Sequence, residues 1–380
     1  MIRKNWKLAA AGAALLLASC GGGGPAFTSM VNFGDSLSDV GTYRVGTVAA
    51  VGGGEFTVNG AAPRNWTEDL AVSTHVAAPC AAQTGLLPNI PGFTGAAVVN
   101  HPECNNYAQG SARVTLPLGP NAAGLQAAPF NQFNIGLMAV PVATQVASYL
   151  SKSGGSFSGH ELVTVWAGGN DIFMNFAGIG AAQAGGAGAV GAAMAAGWSS
   201  DVQNAVFAGG TNAVNAAVSA AVAAMGQAGT ELATLVRTQL LAKGAGYVAV
   251  LNLPDVSITP FGLSLTAQQR GLLQQMVSAY NTQLSNGLAG SRALLVNVFQ
   301  VGQQEAATPS AFGLTNVTSP ACDPASPLNP LQGSSLGCTD ASTFANSTHY
   351  QYADSVHPTP YAHQLISNLV FDQMHAAGWI

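Results

Sequence analysis

Short apolar runs that alternate with helical stretches constrain the fold of this chain more than any other feature. Nearly every residue in each run is apolar, so both faces of each strand must be buried, as in a parallel sheet covered by helices. This alternation predicts an α/β fold with a mainly parallel sheet. Strands are predicted at residues 30–33, 161–167, 247–253 and 293–299, and helices at 140–152, 214–241, 266–288 and from 360 onwards.

Length and charge narrow the class of protein. At 380 residues the chain is long enough for one large domain or two small ones. We expect a single domain over residues 28–380, with long loop insertions such as 44–100 and 302–350. The net charge is −5 and only 11 residues are basic, which is not the charge of a nucleic-acid-binding protein.

The amino terminus is typical of an export signal. Arg3, Lys4 and Lys7 precede an apolar core at 8–18, which is too short to span a bilayer comfortably. The segment ends in Leu-Ala-Ser-Cys, which resembles a bacterial lipobox with Cys20 as the lipidated residue. We therefore expect a lipoprotein signal peptide at 1–19, a flexible Gly-rich linker at 20–27 and a lipid anchor in the outer membrane. Ordinary signal cleavage near the same place, which would give a secreted protein, is the alternative.

Four cysteines remain after the signal segment. An even number of cysteines in an exported chain favours disulfides over a metal site, and no Cys-x-x-Cys spacing is present. Three pairings are possible, of which the two local ones close the shortest loops. The local pairs are Cys80 with Cys104 and Cys322 with Cys338.

Two polar side chains follow predicted strands where each strand ends. Ser36 comes after the first strand in Gly-Asp-Ser-Leu, and Asn170 follows the second in Gly-Gly-Asn-Asp. Ligands of open α/β sheets bind at the carboxyl ends of the strands. There a serine can act as a nucleophile and an asparagine amide can donate to an oxyanion. Between them, Gly110 could bring a backbone N–H close to a ligand.

An acid and a histidine lie close together before the last predicted helix. Asp354 and His357 are three residues apart on the loop that leads into it. This spacing allows a carboxylate to hold one imidazole nitrogen while the other faces a nucleophile.

Taken in order, these four segments resemble the signature blocks of the SGNH (GDSL) hydrolases, from Val31 to about His363. The resemblance implies a flavodoxin-like three-layer α/β/α sandwich and hydrolysis of esters. It makes Ser36 the nucleophile and His357 the general base, oriented by Asp354. The implied oxyanion hole combines the Ser36 and Gly110 backbone N–H groups with the Asn170 side chain. The chain departs from the family's usual Gly-Gly in the second block, where Ser111 follows Gly110.

A second serine motif competes for the role of nucleophile. Residues 333–337 read Gly-Ser-Ser-Leu-Gly, which matches the G-x-S-x-G elbow of α/β-hydrolases around Ser335. That elbow requires a strand before it and a helix after it. Here prolines precede the motif and Cys338 follows it, so we interpret it as a disulfide-bounded loop and the match as accidental.

These features predict an exported serine esterase or lipase that hydrolyses acyl esters through an acyl-enzyme, without metal or cofactor. One alternative is an acyltransferase or polysaccharide deacetylase with the same triad. Another is a non-catalytic surface lipoprotein that keeps the fold as a binding module.

Overall fold

The computed structural model describes residues 27–62, 64–88, 93–120 and 138–380. The predicted signal peptide, Cys20 and all of the linker except Phe27 lie outside the described residues. In the parts of the chain that are described, none of the helices combines the length and apolarity that a membrane span needs.

The central sheet has four parallel strands in the order β1-β4-β5-β6. Two small two-stranded sheets lie outside it: β2 pairs antiparallel with β3, and β7 pairs parallel with β8. The strands are β1 (Ser29–Gly34), β2 (Gln83–Leu86), β3 (Ala96–Asn100), β4 (Glu161–Trp166), β5 (Tyr247–Leu251), β6 (Leu294–Val296), β7 (Asn316–Pro320) and β8 (Tyr350–Tyr352).

Helices fill the connections between these strands. Short 3₁₀ turns at Ser36–Ser38 and Ser335–Gly337 matter for the site below. The α-helices are α1 (Gly46–Ala50), α2 (Trp66–Ser73), α3 (Val142–Lys152), α4 (Gly169–Ala184), α5 (Gly186–Ala196), α6 (Ser200–Ala208), α7 (Gly210–Leu235), α8 (Pro260–Leu263), α9 (Ala267–Leu288), α10 (Val298–Ala307) and α11 (Pro360–Ala376).

Alternate strand residues point into two separate cores. In β4, Val163 and Val165 pack with the core formed by α3 to α7 and α9. Leu162 and Trp166 of the same strand pack with the core formed by α2, α10 and α11. The sheet therefore has helices on both faces, and the predicted three-layer α/β/α arrangement is confirmed.

The elements that the sequence predicts differ from the observed ones mainly at their ends. The sequence did not predict α4 to α6, nor the elements in the segments expected to be long loops, which include α1, β2 and β3 in 44–100 and β7 in 302–350. The strand predicted at 293–299 is shorter in the structure, where β6 ends at Val296. The reason is that the Asn297 side chain accepts a hydrogen bond from the Gln300 N–H and caps the start of α10. The helix predicted at 214–241 begins earlier, at Gly210, and passes into a π-helical turn at Val236–Leu240.

Both local disulfides are present. Cys80 is bonded to Cys104 and Cys322 to Cys338, which confirms the predicted disulfide cysteines and selects the local pairing from the three that the sequence allowed.

Candidate active site

Ser36 lies directly beyond the carboxyl end of β1. The strand ends at Gly34, where a Cβ would come within 2.3 Å of the Trp166 carbonyl oxygen, so this close approach to β4 requires glycine. Asp35 then caps a 3₁₀ turn by accepting a hydrogen bond from the Leu37 N–H at 3.1 Å. Ser36 is thereby held at the edge of the sheet, with 8% of its surface exposed.

His357 joins Ser36 to Asp354. Its Nε2 lies 2.9 Å from Ser36 Oγ, and its Nδ1 lies 2.9 Å from both carboxylate oxygens of Asp354. The backbone N–H groups of Val356 and His357 also donate to Asp354 Oδ1. The structure thus brings together the three side chains that the sequence singled out for nucleophilic chemistry, although Ser36 and His357 are 321 positions apart.

The electrostatic environment of Asp354 favours its ionised form. Burial alone would raise the pKa of this carboxyl, but the charge of His357 and the hydrogen bonds from His357, Ser335 and Val356 outweigh that effect. The pKa of Asp354 is held well below its usual range. An ionised carboxylate at this position stabilises the imidazolium that forms when His357 takes a proton.

Asn170 lies on the other side of Ser36, in the first turn of α4. Its side chain is 6% exposed and borders the same pocket as Ser36 and His357. Its Nδ2 donates to the Ala112 carbonyl oxygen at 2.9 Å, which fixes the plane of the amide. Since an amide has two N–H donors, the group can also serve an oxyanion.

Gly110, in the second of the four signature segments, has a different hydrogen-bond partner from the one expected. The Gly110 N–H donates to Asp39 Oδ2 at 2.9 Å, so it already has a buried carboxylate as its acceptor. A Cβ on Gly110 would come within 2.3 Å of the Phe56 ring, which itself stacks near His357 with ring centroids 5.1 Å apart. The structure therefore brings Gly110 to the site but leaves its N–H engaged with Asp39.

Ser111, which stands where the family more often has a second glycine, adopts a left-handed conformation with a φ of 66°. Such a φ is uncommon outside glycine, asparagine and aspartate. Its own backbone N–H has no hydrogen-bond acceptor among the described residues. Ser111 is next to Ala112, whose carbonyl holds Asn170.

A family model matches most of the chain. The family model for GDSL-like lipase/acylhydrolase matches residues 30–370. This chain belongs to that family. None of the curated proteins matches it. Among solved structures, that of an extracellular lipase from Streptomyces rimosus is similar, with 15% identity, a TM-score of 0.38 and coverage of 92% of this chain and 99% of that one.

In this GDSL-like hydrolase, a buried ion pair connects Arg113, which lies three residues after Gly110, to Asp171 in α4. Arg113 Nε donates to Asp171 Oδ1 at 2.7 Å, and the Val114 N–H donates to Asp171 Oδ2 at 3.0 Å. Arg113 is 2% exposed and also donates to the Ala195 carbonyl oxygen. The ion pair keeps Asn170 close to Ala112. The sequence did not predict it, because no local pattern connects positions that are 58 residues apart.

Ser335, the serine of the second motif, has two unexpected neighbours in the structure. Ser335 begins a 3₁₀ turn in a loop, and in the described chain no strand ends directly before it and no α-helix starts directly after it, so it lacks the elbow geometry. It nevertheless contacts the acid and histidine pair: its N–H donates to Asp354 Oδ2 at 3.0 Å, and its Oγ lies 3.2 Å from His357 Nδ1. The absence of elbow geometry agrees with the interpretation of the motif as accidental, but the sequence did not predict these contacts with Asp354 and His357.

A small pocket opens beside Ser36. Its volume is about 50 Å³, as bounded by the described residues. Apolar side chains form most of its wall, which suits an acyl group more than a sugar or a charged group. The wall is formed by Phe173, Leu253, Pro254, Val256 and Val356.

Two buried acids of the first block have raised pKa values. Burial raises the pKa of Asp35 to about 7, although the hydrogen bond from Leu37 lowers it. Burial raises the pKa of Asp39 to about 6 against the hydrogen bonds from Thr42, Gly110 and Gly41. The Asp35 carboxyl accepts from the Leu37 N–H in the turn that carries Ser36, whereas the Asp39 carboxyl accepts from the N–H groups of Gly41, Thr42 and Gly110. In the described part of the chain, no cluster of acids, histidines and cysteines could hold a metal ion.

Proposed function

We propose that this protein is an exported serine ester hydrolase that acts through an acyl-enzyme. The observation that carries the proposal is the continuous chain of hydrogen bonds from Ser36 Oγ through His357 to Asp354. Membership of the GDSL-like lipase/acylhydrolase family supports ester hydrolysis independently of that geometry.

The proposed first step is attack of Ser36 Oγ on the ester carbonyl carbon. His357 Nε2 accepts the serine proton as the bond forms and then donates it to the leaving alcohol. Asp354 keeps the proton of Nδ1 in place and stabilises the imidazolium. A water molecule, activated by His357 in the same way, then hydrolyses the acyl-enzyme and regenerates Ser36.

Negative charge develops on the carbonyl oxygen during both steps, and preorganised N–H donors stabilise it. We propose that the Ser36 N–H, the Asn170 side chain and the second block supply them. Within that block, the resemblance to the SGNH (GDSL) hydrolases implies that the Gly110 N–H is the donor. Because the Gly110 N–H is engaged with Asp39, it could serve the oxyanion only by sharing that bond, whereas the Ser111 N–H has no acceptor among the described residues. We therefore propose Ser111 as the donor of this block.

The size of the pocket favours short acyl groups. A space of about 50 Å³ beside Ser36 suits an acetyl or similar group better than a long chain. The same feature favours the deacetylase alternative, since an acetylated polysaccharide presents only the acetyl group to such a pocket. An acyltransferase would share the acyl-enzyme and differ only in the acceptor.

The function is tested with a series of p-nitrophenyl esters from acetate to palmitate, using protein that lacks residues 1–20. We expect hydrolysis with the highest kcat/KM for acetate or butyrate. Adding an alcohol acceptor distinguishes transfer from hydrolysis, because transfer yields a new ester. Absence of turnover on every ester would contradict the proposal and favour a non-catalytic binding module.

We also propose that the protein is a lipoprotein anchored through Cys20. The Leu-Ala-Ser-Cys segment supports the anchor, and two disulfides support an oxidising compartment outside the cytoplasm. Cells that incorporate a labelled fatty acid should yield labelled protein in the outer-membrane fraction. A Cys20→Ser variant should be unlabelled, and an unlabelled wild type would contradict the anchor.

A further inference from the structure

We propose that Ser335 is a positioning residue for the Asp354–His357 pair, and that the Cys322–Cys338 disulfide holds it in place. The proposal rests on the proposed function, since it concerns how the acid and base of that mechanism are oriented. Ser335 is the serine of the accidental elbow motif, and it lies on a segment separate from both residues that it contacts.

Ser335 completes the set of partners around Asp354. Oδ1 of the carboxylate accepts from backbone N–H groups of its own loop. Oδ2 accepts from the Ser335 N–H at 3.0 Å, and the Ser335 hydroxyl oxygen lies 3.2 Å from His357 Nδ1. The serine is fully buried, with 0% of its surface exposed. Because the two oxygens are held from two directions, the carboxylate cannot rotate away from His357.

The turn that carries Ser335 is itself held from two sides. The buried Asn59 side chain donates to the carbonyl oxygens of Ser335 and Cys338, each at 2.9 Å. The Cys338 sulfur is bonded to Cys322, whose N–H donates to the Ala353 carbonyl oxygen at 2.9 Å. Ala353 directly precedes Asp354. The disulfide therefore ties the turn of Ser335 to the backbone that carries the catalytic acid.

This arrangement affects catalysis more than substrate binding. If His357 Nδ1 loses the Ser335 hydroxyl as a partner, the imidazole is oriented less well and Nε2 faces Ser36 Oγ less often. The ester contacts neither Ser335 nor Asp354 in the proposed mechanism. A change at Ser335 should therefore lower kcat and leave KM nearly unchanged.

The first test compares Ser335→Ala with Ser334→Ala on p-nitrophenyl acetate. Ser334 is a matched control, because its hydroxyl caps the same 3₁₀ turn without touching the acid or the histidine. Ser335→Ala keeps the N–H bond to Asp354 and removes only the hydroxyl beside His357 Nδ1. We expect it to lower kcat about 10-fold, as for the loss of one hydrogen bond, with KM changed less than about twofold. Ser334→Ala should keep the wild-type kcat. Equal kcat values for wild type and Ser335→Ala would overturn the proposal.

The second test asks whether Ser335 acts through Asp354. Ser335→Ala is combined with Asp354→Ala, and the effects are compared in a double-mutant cycle. We expect Ser335→Ala to change kcat less than about twofold once the carboxylate is absent. A further loss of about 10-fold in that background would mean that Ser335 acts independently of Asp354, and it would overturn the proposal.

The third test removes the disulfide, and it serves also if Ser335→Ala fails to fold. A Cys322→Ser/Cys338→Ser protein should lose kcat about as much as Ser335→Ala, with little change in KM. A Cys80→Ser/Cys104→Ser protein, measured in parallel, should keep its kcat. Equal kcat in both disulfide variants and the wild type would contradict the role of the disulfide. Wild-type hydrolysis that disappears in Ser36→Ala must be observed first, so a failure of the proposed function would be recognised separately.

Discussion

Asn170 donates to the Ala112 carbonyl oxygen and borders the pocket of Ser36, so one side chain both fixes the second block and faces the site of reaction. Asp354 has a comparable partner on another segment, since the Ser335 N–H donates to its Oδ2. At the scale of single residues, the groups proposed for catalysis are held by partners on other segments. This is the preorganisation that electrostatic stabilisation of a transition state requires.

Asn170→Ala should lower kcat by about 10² to 10³-fold with little change in KM, because the amide bond to the oxyanion strengthens only as negative charge develops. Asn175→Ala provides a control in the same helix. It removes an acceptor of the Trp198 indole N–H, so it should lower stability without lowering kcat in the same way. Steady-state kinetics and thermal unfolding of both variants check this. Full activity of Asn170→Ala would contradict its role.

The sequence allowed Ser36, Asn170 and the pair Asp354 and His357 to be singled out, because each sits in a short local pattern at the end of a strand or before a helix. The contacts of Gly110 with Asp39 and of Ser335 with His357 could not be predicted. They join positions 71 and 22 residues apart, and no periodic pattern connects such positions.

At the scale of elements, the two disulfides stabilise different loops. Cys80–Cys104 lies beside the segment that pairs with β1, where the Asn32 N–H donates to the Asn105 carbonyl oxygen. Cys322–Cys338 lies beside the loop of Asp354. Both constrain the unfolded chain, but only the second is connected by hydrogen bonds to the loop of Asp354.

A Cys80→Ser/Cys104→Ser protein should therefore be less stable and equally active at a temperature where it is folded. The chain-entropy model predicts a loss of about 3 kcal/mol in the free energy of unfolding for a loop of this length. Urea unfolding of the variant and the wild type measures the difference. An unchanged free energy of unfolding would contradict the prediction.

The four strands of the central sheet and most of the long helices followed from their apolar periodicity. The stretch rich in Ala and Gly before residue 214 did not, although it forms the end of α4, all of α5 and α6, and the start of α7. Alanine adds little contrast between an apolar and a polar face, so a helix made of it has no clear periodic pattern. Its helices are stabilised by close packing, which depends on neighbours that the sequence does not reveal.

At the scale of the whole molecule, buried acids make stability depend on pH. Burial is the main cause that raises the pKa values of Asp35, Glu55 and Glu305 to about 7 and that of Asp39 to about 6. Between pH 4 and 7 the folded protein therefore binds more protons at these groups than the unfolded chain does. Their contribution to the free energy of unfolding falls as the pH rises through this range. His363 acts in the opposite direction, because burial lowers its pKa to about 3.

The acids outnumber His363, so the wild-type protein should be more stable at pH 5 than at pH 8. Glu305→Gln should reduce this difference and should be more stable than the wild type at pH 8, because a neutral amide avoids the cost of burying a charge. Gln351 donates to Glu305 Oε2 at 2.8 Å and can donate equally to an amide oxygen. Urea unfolding at pH 5, 6.5 and 8 tests this. An identical pH dependence in the two proteins would contradict it.

The most direct measurement of the central claim is covalent labelling with a fluorophosphonate, followed by mass spectrometry of the peptides. A serine activated by His357 should form one phosphonyl adduct per chain, on Ser36, and the loss of ester hydrolysis should follow the extent of labelling. Ser36→Ala protein should form no adduct and should be inactive. An adduct on Ser335, or ester hydrolysis that persists with Ser36 fully labelled, would contradict the account.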